Sequence, residues 1–112
     1  MSLYADYVKE RLGWRVIEIE AGFICYDIRP PLASVEEIYI RPDQRGKGFA
    51  SRLADKVVEI AKEEGAHTLF ASIIPGVNGA EHSLMTQLKY GFKLHSINAD
   101  GKLLLALDLE GR

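Results

Sequence analysis

The feature that most narrows the fold of this chain is a glycine-rich turn set between an apolar strand and the most regular helix. Residues 34–40 include Val35, Ile38 and Ile40 and run into Arg41-Pro42, after which comes Gln44-Arg45-Gly46-Lys47-Gly48. Ala50, Leu53, Ala54, Val57, Val58 and Ala61 then recur at helical spacing, with Arg52, Asp55, Lys56, Glu59, Lys62 and Glu63 on the wet faces. Gly65 closes this helix. Residues 68–74 form a nearly continuous apolar run, which reads as a central strand covered on both faces. Strand, helix and strand in this order return to one sheet by a right-handed crossover, so the two strands are expected to be parallel.

The flanking segments add antiparallel strands. Leu3, Tyr4, Tyr7, Val8 and Leu12 mark a short amphipathic helix stopped by Gly13. Residues 14–20 and 23–28 read as a hairpin turning at Ala21-Gly22, and Pro30-Pro31 ends it because neither residue donates to a ladder. Residues 75–79 form a loop and 80–90 a further helix ending at Gly91. The chain closes with a hairpin of residues 92–97 and 102–109 around Asp100-Gly101. The expected fold is α/β, a mixed sheet of about six strands with three helices, and residues 1–112 are expected to be a single domain.

A chain of 112 residues holds one core. With 47% hydrophobic and 27% charged residues it is a folded globular protein, and its net charge of −2 argues against nucleic acid or an anionic membrane as partner. No apolar stretch approaches the roughly 18 to 20 residues that span a bilayer. There is no basic start followed by an apolar block, so a secretory signal is not expected. One cysteine, Cys25, excludes an internal disulfide, and a cytoplasmic location fits best. His67, His82 and His95 show no metal-ligand spacing with one another or with Cys25, and Ser83 has no His-Asp pattern to activate it as a nucleophile.

The first N–H groups of a helix lack internal partners and sit at the positive end of its dipole, while glycine lets the backbone approach a ligand closely. Gly46, Lys47, Gly48, Phe49 and Ala50 therefore form a candidate cup of amides for a diphosphate, with Arg45 and Lys47 adding charge at its mouth. A nucleoside-triphosphatase loop requires Gly-Lys-Ser/Thr, and Gly48 is followed by Phe49. A dinucleotide fingerprint requires a third glycine where Ser51 stands.

Residues 38–50 resemble the acyl-CoA motif of the GNAT superfamily of N-acetyltransferases, Arg/Gln-x-x-Gly-x-Gly/Ala, matched by Arg45, Gly48 and Ala50. A second family feature, a helix ending in Lys-x-Gly-Phe, is matched by Lys89-Tyr90-Gly91-Phe92. The resemblance runs from Val35 to Leu109, and the part before it is short for the family. It implies a GNAT-like fold, N-terminally shortened, that transfers an acetyl group from acetyl-CoA to a primary amine by direct attack. The acceptor is a small molecule or a protein amine, and a homodimer is a common assembly of the family.

Carried over by position, the resemblance puts pantetheine between the strands before and after the long helix. Ile38 and Ile40 would supply backbone groups, residues 45–50 the pyrophosphate site, and Asn78 and Ser83 further cofactor contacts. Glu36 and Glu37 stand where the family often places its base. Strand alternation exposes only one of them to the cleft, with Glu36 preferred, unless a bulge intervenes. Where many family members have a tyrosine that protonates the departing thiolate, this chain has Gln87. Together with the short N-terminus, Gln87 motivates the alternative, a CoA-binding or protein-interaction module with weak or no catalysis on the same scaffold. Trp14, Tyr4 and Tyr7 read as packing residues of the first helix.

Overall fold

In the computed structural model, which describes residues 2–111, Ser2 opens the first helix by accepting the Ala5 N–H on its Oγ at 2.9 Å. Met1 and Arg112, the ends of the expected domain, lie outside the described residues. Helix α1 spans Leu3–Leu12, and Gly13 ends it at φ 75°, the left-handed conformation that glycine adopts without strain. Strands β1 (Arg15–Ile19), β2 (Gly22–Arg29) and β3 (Leu32–Ile40) follow as an antiparallel meander. A 3-10 turn (Pro42–Gln44) and the glycine loop lead into α2 (Phe49–Glu63). Then come β4 (Thr68–Ile73), α3 (Ala80–Tyr90), β5 (Lys93–Ile97) and β6 (Leu103–Asp108).

The six strands form one mixed sheet in the order β1-β2-β3-β4-β6-β5. The pair β3–β4 is parallel, as the crossover requires, and every other neighbouring pair is antiparallel. The buried stripe of α2, namely Leu53, Val57, Val58 and Ala61, packs on Ile24, Tyr26, Leu69 and Leu105 of the sheet. On the opposite face α1, with Ala5 and Val8 buried, packs against β1, and its Tyr4 reaches Phe23 and the buried Cys25 of β2.

Two expectations are corrected. The residues 68–74 read as a strand covered on both faces, but only Leu69, Ala71 and Ile73 of β4 are buried, on the α2 side. Phe70, on the other face, is half-buried and meets the His95 ring edge-on at 5.5 Å. The apolar Phe70 on the outer face, next to the small Ala71 on the inner one, hides the period-2 signal that would have revealed a one-sided strand. The turn of the first hairpin is also displaced: Glu20 and Ala21 form it, and Gly22 is the first residue of β2, opposite Ile40.

Gly22 is required there by contact rather than by dihedral freedom. A Cβ at this position would lie 2.0 Å from the Tyr39 carbonyl oxygen and 2.9 Å from the Ile40 Cα, both backbone atoms of β3. Gly22→Ala must therefore push β2 from β3 at the very end of the strand that borders the candidate site. The expected outcome is a loss of about 1–3 kcal/mol in denaturant unfolding, the usual cost of overpacking.

Candidate active site

The site begins where β3 and β4 part. Their parallel ladder holds for four residue pairs, from Leu32↔Thr68 to Val35↔Ala71, and then stops. Beyond it β3 continues to Ile40 bonded only to β2, and β4 continues to Ile73 bonded only to β6. The facing edges of residues 36–40 and 72–73 thus border an open wedge. The hydrogen-bond pattern shows which β3 groups enter it. The Arg41 N–H donates to the Ala21 carbonyl at 2.7 Å. Bonded and non-bonded positions alternate along an antiparallel pair, so Tyr39 and Glu37 join Arg41 in bonding β2. The N–H and C=O groups of Ile40 and Ile38 turn the other way, into the wedge. Ile38 is 41% exposed there, and Ile74 and Val77 leave apolar surface bare beyond the end of β4.

At the wide end of the wedge lies the glycine loop. Gly46 and Gly48 have φ 78° and 86°, and nothing stands within 4 Å of where their Cβ atoms would be. Gly48 is the N-cap of α2, and among the described residues no side chain bonds the first-turn amides, so the N–H groups after Gly48 face outward. Arg45 is tied inward: its Nε donates to the Ile40 carbonyl at 2.9 Å and its guanidinium stacks over Tyr39 at 5.5 Å from the ring centre. Arg45 therefore anchors the loop to the end of β3 as well as charging it. The Lys47 ammonium is exposed and reaches the Gln44 side-chain oxygen at 3.4 Å.

Helix α3 also starts from a left-handed glycine, Gly79, without a side-chain cap among the described residues. Asn78 and Ser83 sit here with Ser72, Ile73 and Val77 around a cavity of about 170 Å³ at the end of β4. Both residues thus border the β4 side of the wedge. Gln87, one turn after Ser83, has a buried Oε1 with no hydrogen-bond partner among the described residues. Tyr90, three residues on, does not reach the wedge: its hydroxyl donates to Asp55 of α2 at 2.6 Å, and its ring lies 6.0 Å from Phe92.

The two glutamates are arranged differently from the alternation argument. The β2–β3 register passes from Cys25↔Glu37 to Tyr26↔Val35, leaving Glu36 as the extra residue of a bulge. Glu36 accepts a hydrogen bond from the Ser34 hydroxyl, and Glu37 lies opposite Cys25 beside Tyr4. Both carboxylates stand on the α1 face, where strict alternation would have left one. The bulge is the exception under which strand alternation does not separate the two glutamates, and neither Glu36 nor Glu37 is singled out by parity. The bulge also sets Ile38 and Ile40 in register with the wedge.

Around Glu37 the chain assembles a polar corner that the sequence did not reveal. The Tyr4 hydroxyl and Cys25 Sγ are 3.8 Å apart, and the Tyr4 ring lies 5.0 Å from Phe23, which in turn lies 6.0 Å from Tyr39. Desolvation, then the hydrogen bond and charge of Cys25 and those of Glu37, push the Tyr4 phenol up to about 12. Burial, opposed by the Tyr4 bond and reinforced by the charges of Glu37, Glu18 and Glu36, raises the Cys25 thiol. Near neutral pH Cys25 is therefore a protonated thiol and a poor nucleophile. Among the described residues no group of three His, Cys, Asp or Glu side chains could hold a metal ion, and no helix is long and apolar enough to cross a membrane. A larger concavity of about 430 Å³ opens at the other end of β4, between Thr68, Lys93, His95 and Asp108, remote from the loop and the wedge.

Comparison with known proteins agrees with this architecture. The model of the acetyltransferase (GNAT) family matches residues 3–92. The L-methionine sulfoximine/L-methionine sulfone acetyltransferases of Pseudomonas paraeruginosa and Pseudomonas aeruginosa are 39% identical over 57 residues, 51% of this chain but only 31% of their own length. A GNAT-family protein from Desulfovibrio desulfuricans superposes with a TM-score of 0.77 at 19% identity, covering 93% of this chain and 76% of that one. An acetyltransferase from Bacillus subtilis, solved in complex with CoA, gives 0.70 at 23% identity, covering 92% and 82%.

The raised Tyr4 phenol has a consequence for stability. A folded-state pKa above the unfolded value stabilises the fold fully below pH 10 and loses that contribution as pH rises through about 12. Alkaline unfolding followed by circular dichroism should therefore steepen across this window, and Tyr4→Phe should flatten the fall.

Proposed function

The chain belongs to the GNAT acetyltransferase family, and on that premise we propose that it transfers an acetyl group from acetyl-CoA to a primary amine. The observation that carries the reading is the wedge between β3 and β4, with an uncapped α2 N-terminus at its wide end. A narrow slot edged by backbone groups outside the ladder, of which the Ile40 carbonyl is held by Arg45, suits the extended, amide-bearing pantetheine arm. A helix N-terminus with glycines suits a diphosphate. The groups proposed to hold CoA are the backbones of Ile38 and Ile40, residues 45–50 (Arg45, Gly46, Lys47, Gly48, Phe49 and Ala50), and Asn78 with Ser83.

Acetyl-CoA supplies the acetyl group, which the acceptor nitrogen takes as its C–N bond forms and the C–S bond breaks. An ammonium has no free lone pair, so a carboxylate must first accept its proton. Glu36 and Glu37 are the proposed bases, and both face the α1 side of the sheet, from which the acceptor would approach. The Ile38 amide, turned into the wedge, is suited to receive the developing oxyanion. Gln87 can donate a hydrogen bond to the leaving sulfur but no proton. The thiolate therefore departs without a side-chain acid in this reading.

The relatives named for methionine sulfoximine and methionine sulfone match this chain over 31% of their length, and their acceptor is not carried over. The acceptor is proposed only as an amine, on a small molecule or a protein. The same reading takes residues 1–112 as one catalytic domain in the cytoplasm, supported by the single unpaired thiol of Cys25. It takes a homodimer as the assembly, supported by the exposed Met85 and Leu88 of α3.

Calorimetric titration with acetyl-CoA tests the cofactor site. The parent is expected to bind in the micromolar range, and a folded Gly48→Glu variant, with an anion in the mouth of the cup, to lose at least about tenfold in affinity. Release of CoA with a panel of amines tests the chemistry: Glu36→Gln and Glu37→Gln are expected to keep cofactor affinity, and the variant lacking the base to lose about 100-fold in kcat. A folded parent that does not bind acetyl-CoA would remove the reading.

A further inference from the structure

Tyr4 is the group the proposed chemistry leaves unused, and its position is unlike that of a packing residue. It projects from the first turn of α1 over the strand pair β2–β3, 36% exposed, with its ring against Phe23. Its hydroxyl ends at Cys25 Sγ, 3.8 Å away, and Cys25 is the cross-strand partner of Glu37. The phenol thus lies over the one place on the sheet where a glutamate directly precedes the first β3 residue whose backbone enters the wedge.

We propose that Glu37 is the base that deprotonates the acceptor amine and that Tyr4 is its positioning residue, holding the carboxylate by its hydroxyl above the wedge. This rests on the acetyl-transfer reading and deepens it by separating the two glutamates. Glu36, the extra residue of the bulge, is turned back along its own strand to the Ser34 hydroxyl. Glu37 has no such partner on β3. Opposite it stands a buried thiol that is protonated near neutral pH, where it offers no competing charge. The titratable and charged groups around this corner are Tyr4 from α1, Cys25 from β2, Glu18 from β1 and Glu36 from β3.

A phenol suits this work. It donates one hydrogen bond to a carboxylate and remains protonated throughout the pH range in which an amine can be acylated, since its own ionisation is pushed up to about 12. In the reaction the ammonium proton passes to Glu37, and the Tyr4 proton stays on its oxygen. The aromatic series Tyr4, Phe23, Tyr39, closed by the guanidinium of Arg45, also links α1 to the anchor of the cofactor loop. The acceptor side and the cofactor side of the wedge are therefore held by one run of contacts.

Two measurements test the proposal. The first reads the contact itself: carbon NMR at neutral pH of Tyr4 labelled at Cζ, in the parent, in Glu37→Gln and in Glu36→Gln. Replacing the Glu37 carboxylate is expected to shift the Tyr4 Cζ resonance, because the phenol loses a hydrogen bond to a charge, while Glu36→Gln leaves it in place; a resonance unmoved in Glu37→Gln would overturn the pairing. The second is kinetic. Tyr4→Phe keeps the ring on Phe23 and is expected to lower kcat about tenfold, the worth of one hydrogen bond to a charge, with acetyl-CoA affinity and amine KM unchanged at a temperature where both proteins are folded. A parent that turns over, with a Tyr4→Phe variant of equal kcat, would overturn this role alone. A parent that acetylates no amine would overturn the acetyl-transfer reading along with it.

Discussion

Everything in the site depends on a hydrogen-bond ladder that stops early. β3 and β4 share four parallel pairs and then diverge, although both strands go on. An unpaired backbone edge normally has to be covered, because its N–H and C=O groups need partners. Here the divergence opens two such edges toward each other at the end of the sheet where α2 and α3 begin. The order is fixed by the crossover: α2 must leave β3 at its C-terminal end and return to β4, so its N-terminus inevitably stands at the mouth of the wedge. Helix dipole, glycine loop and open edges are thus one consequence of topology.

The bulge at Glu36 is the second constraint, and it acts on both sides of the sheet at once. By adding one residue to β3 opposite Cys25 and Tyr26, it reverses the facing of everything C-terminal to it. Ile38 and Ile40 consequently face α2 with their side chains and the wedge with their backbones. Glu36 and Glu37 both stand on the α1 face. Without it, one carboxylate would turn toward α2. The close approach at Gly22 holds the far end of the same strand pair, where a side chain would meet the Tyr39 carbonyl. The Arg45 guanidinium, bonded to the Ile40 carbonyl and stacked on Tyr39, ties the loop to that end of β3.

Much of this was legible in the sequence, and for identifiable reasons. The helical period of residues 49–63 is strong, its glycine stops are clear, and the turn residues of the last hairpin carry their own chemistry. Helix α1, helix α3 and the parallel β3–β4 pair therefore follow from pattern alone. The loop at residues 45–50 stands out because its glycines sit between two unambiguous elements. What pattern could not supply lies at single residues. A bulge does not alter composition, so the pair Glu36-Glu37 reads the same with or without it. Gly22 looks like a turn glycine because its need arises from a neighbouring strand. Tyr4 reads as one more apolar member of an amphipathic helix, since its hydroxyl matters only once α1 packs on the sheet and brings it to Cys25 of β2. The uncovered face of β4 escapes notice because Phe70 resembles a core residue.

The central claim is that the parted edges of β3 and β4, together with the uncapped start of α2, form the CoA site. Amide nitrogen NMR during titration of the protein with CoA addresses it residue by residue. The account predicts the largest shifts at the N–H groups of Ile38, Ile40 and residues 46–50, with smaller ones at Asn78 and Ser83 and none around Lys93, His95 and Asp108. Shifts centred on that remote concavity, or saturable binding that leaves Ile38, Ile40 and the glycine loop unmoved, would contradict it.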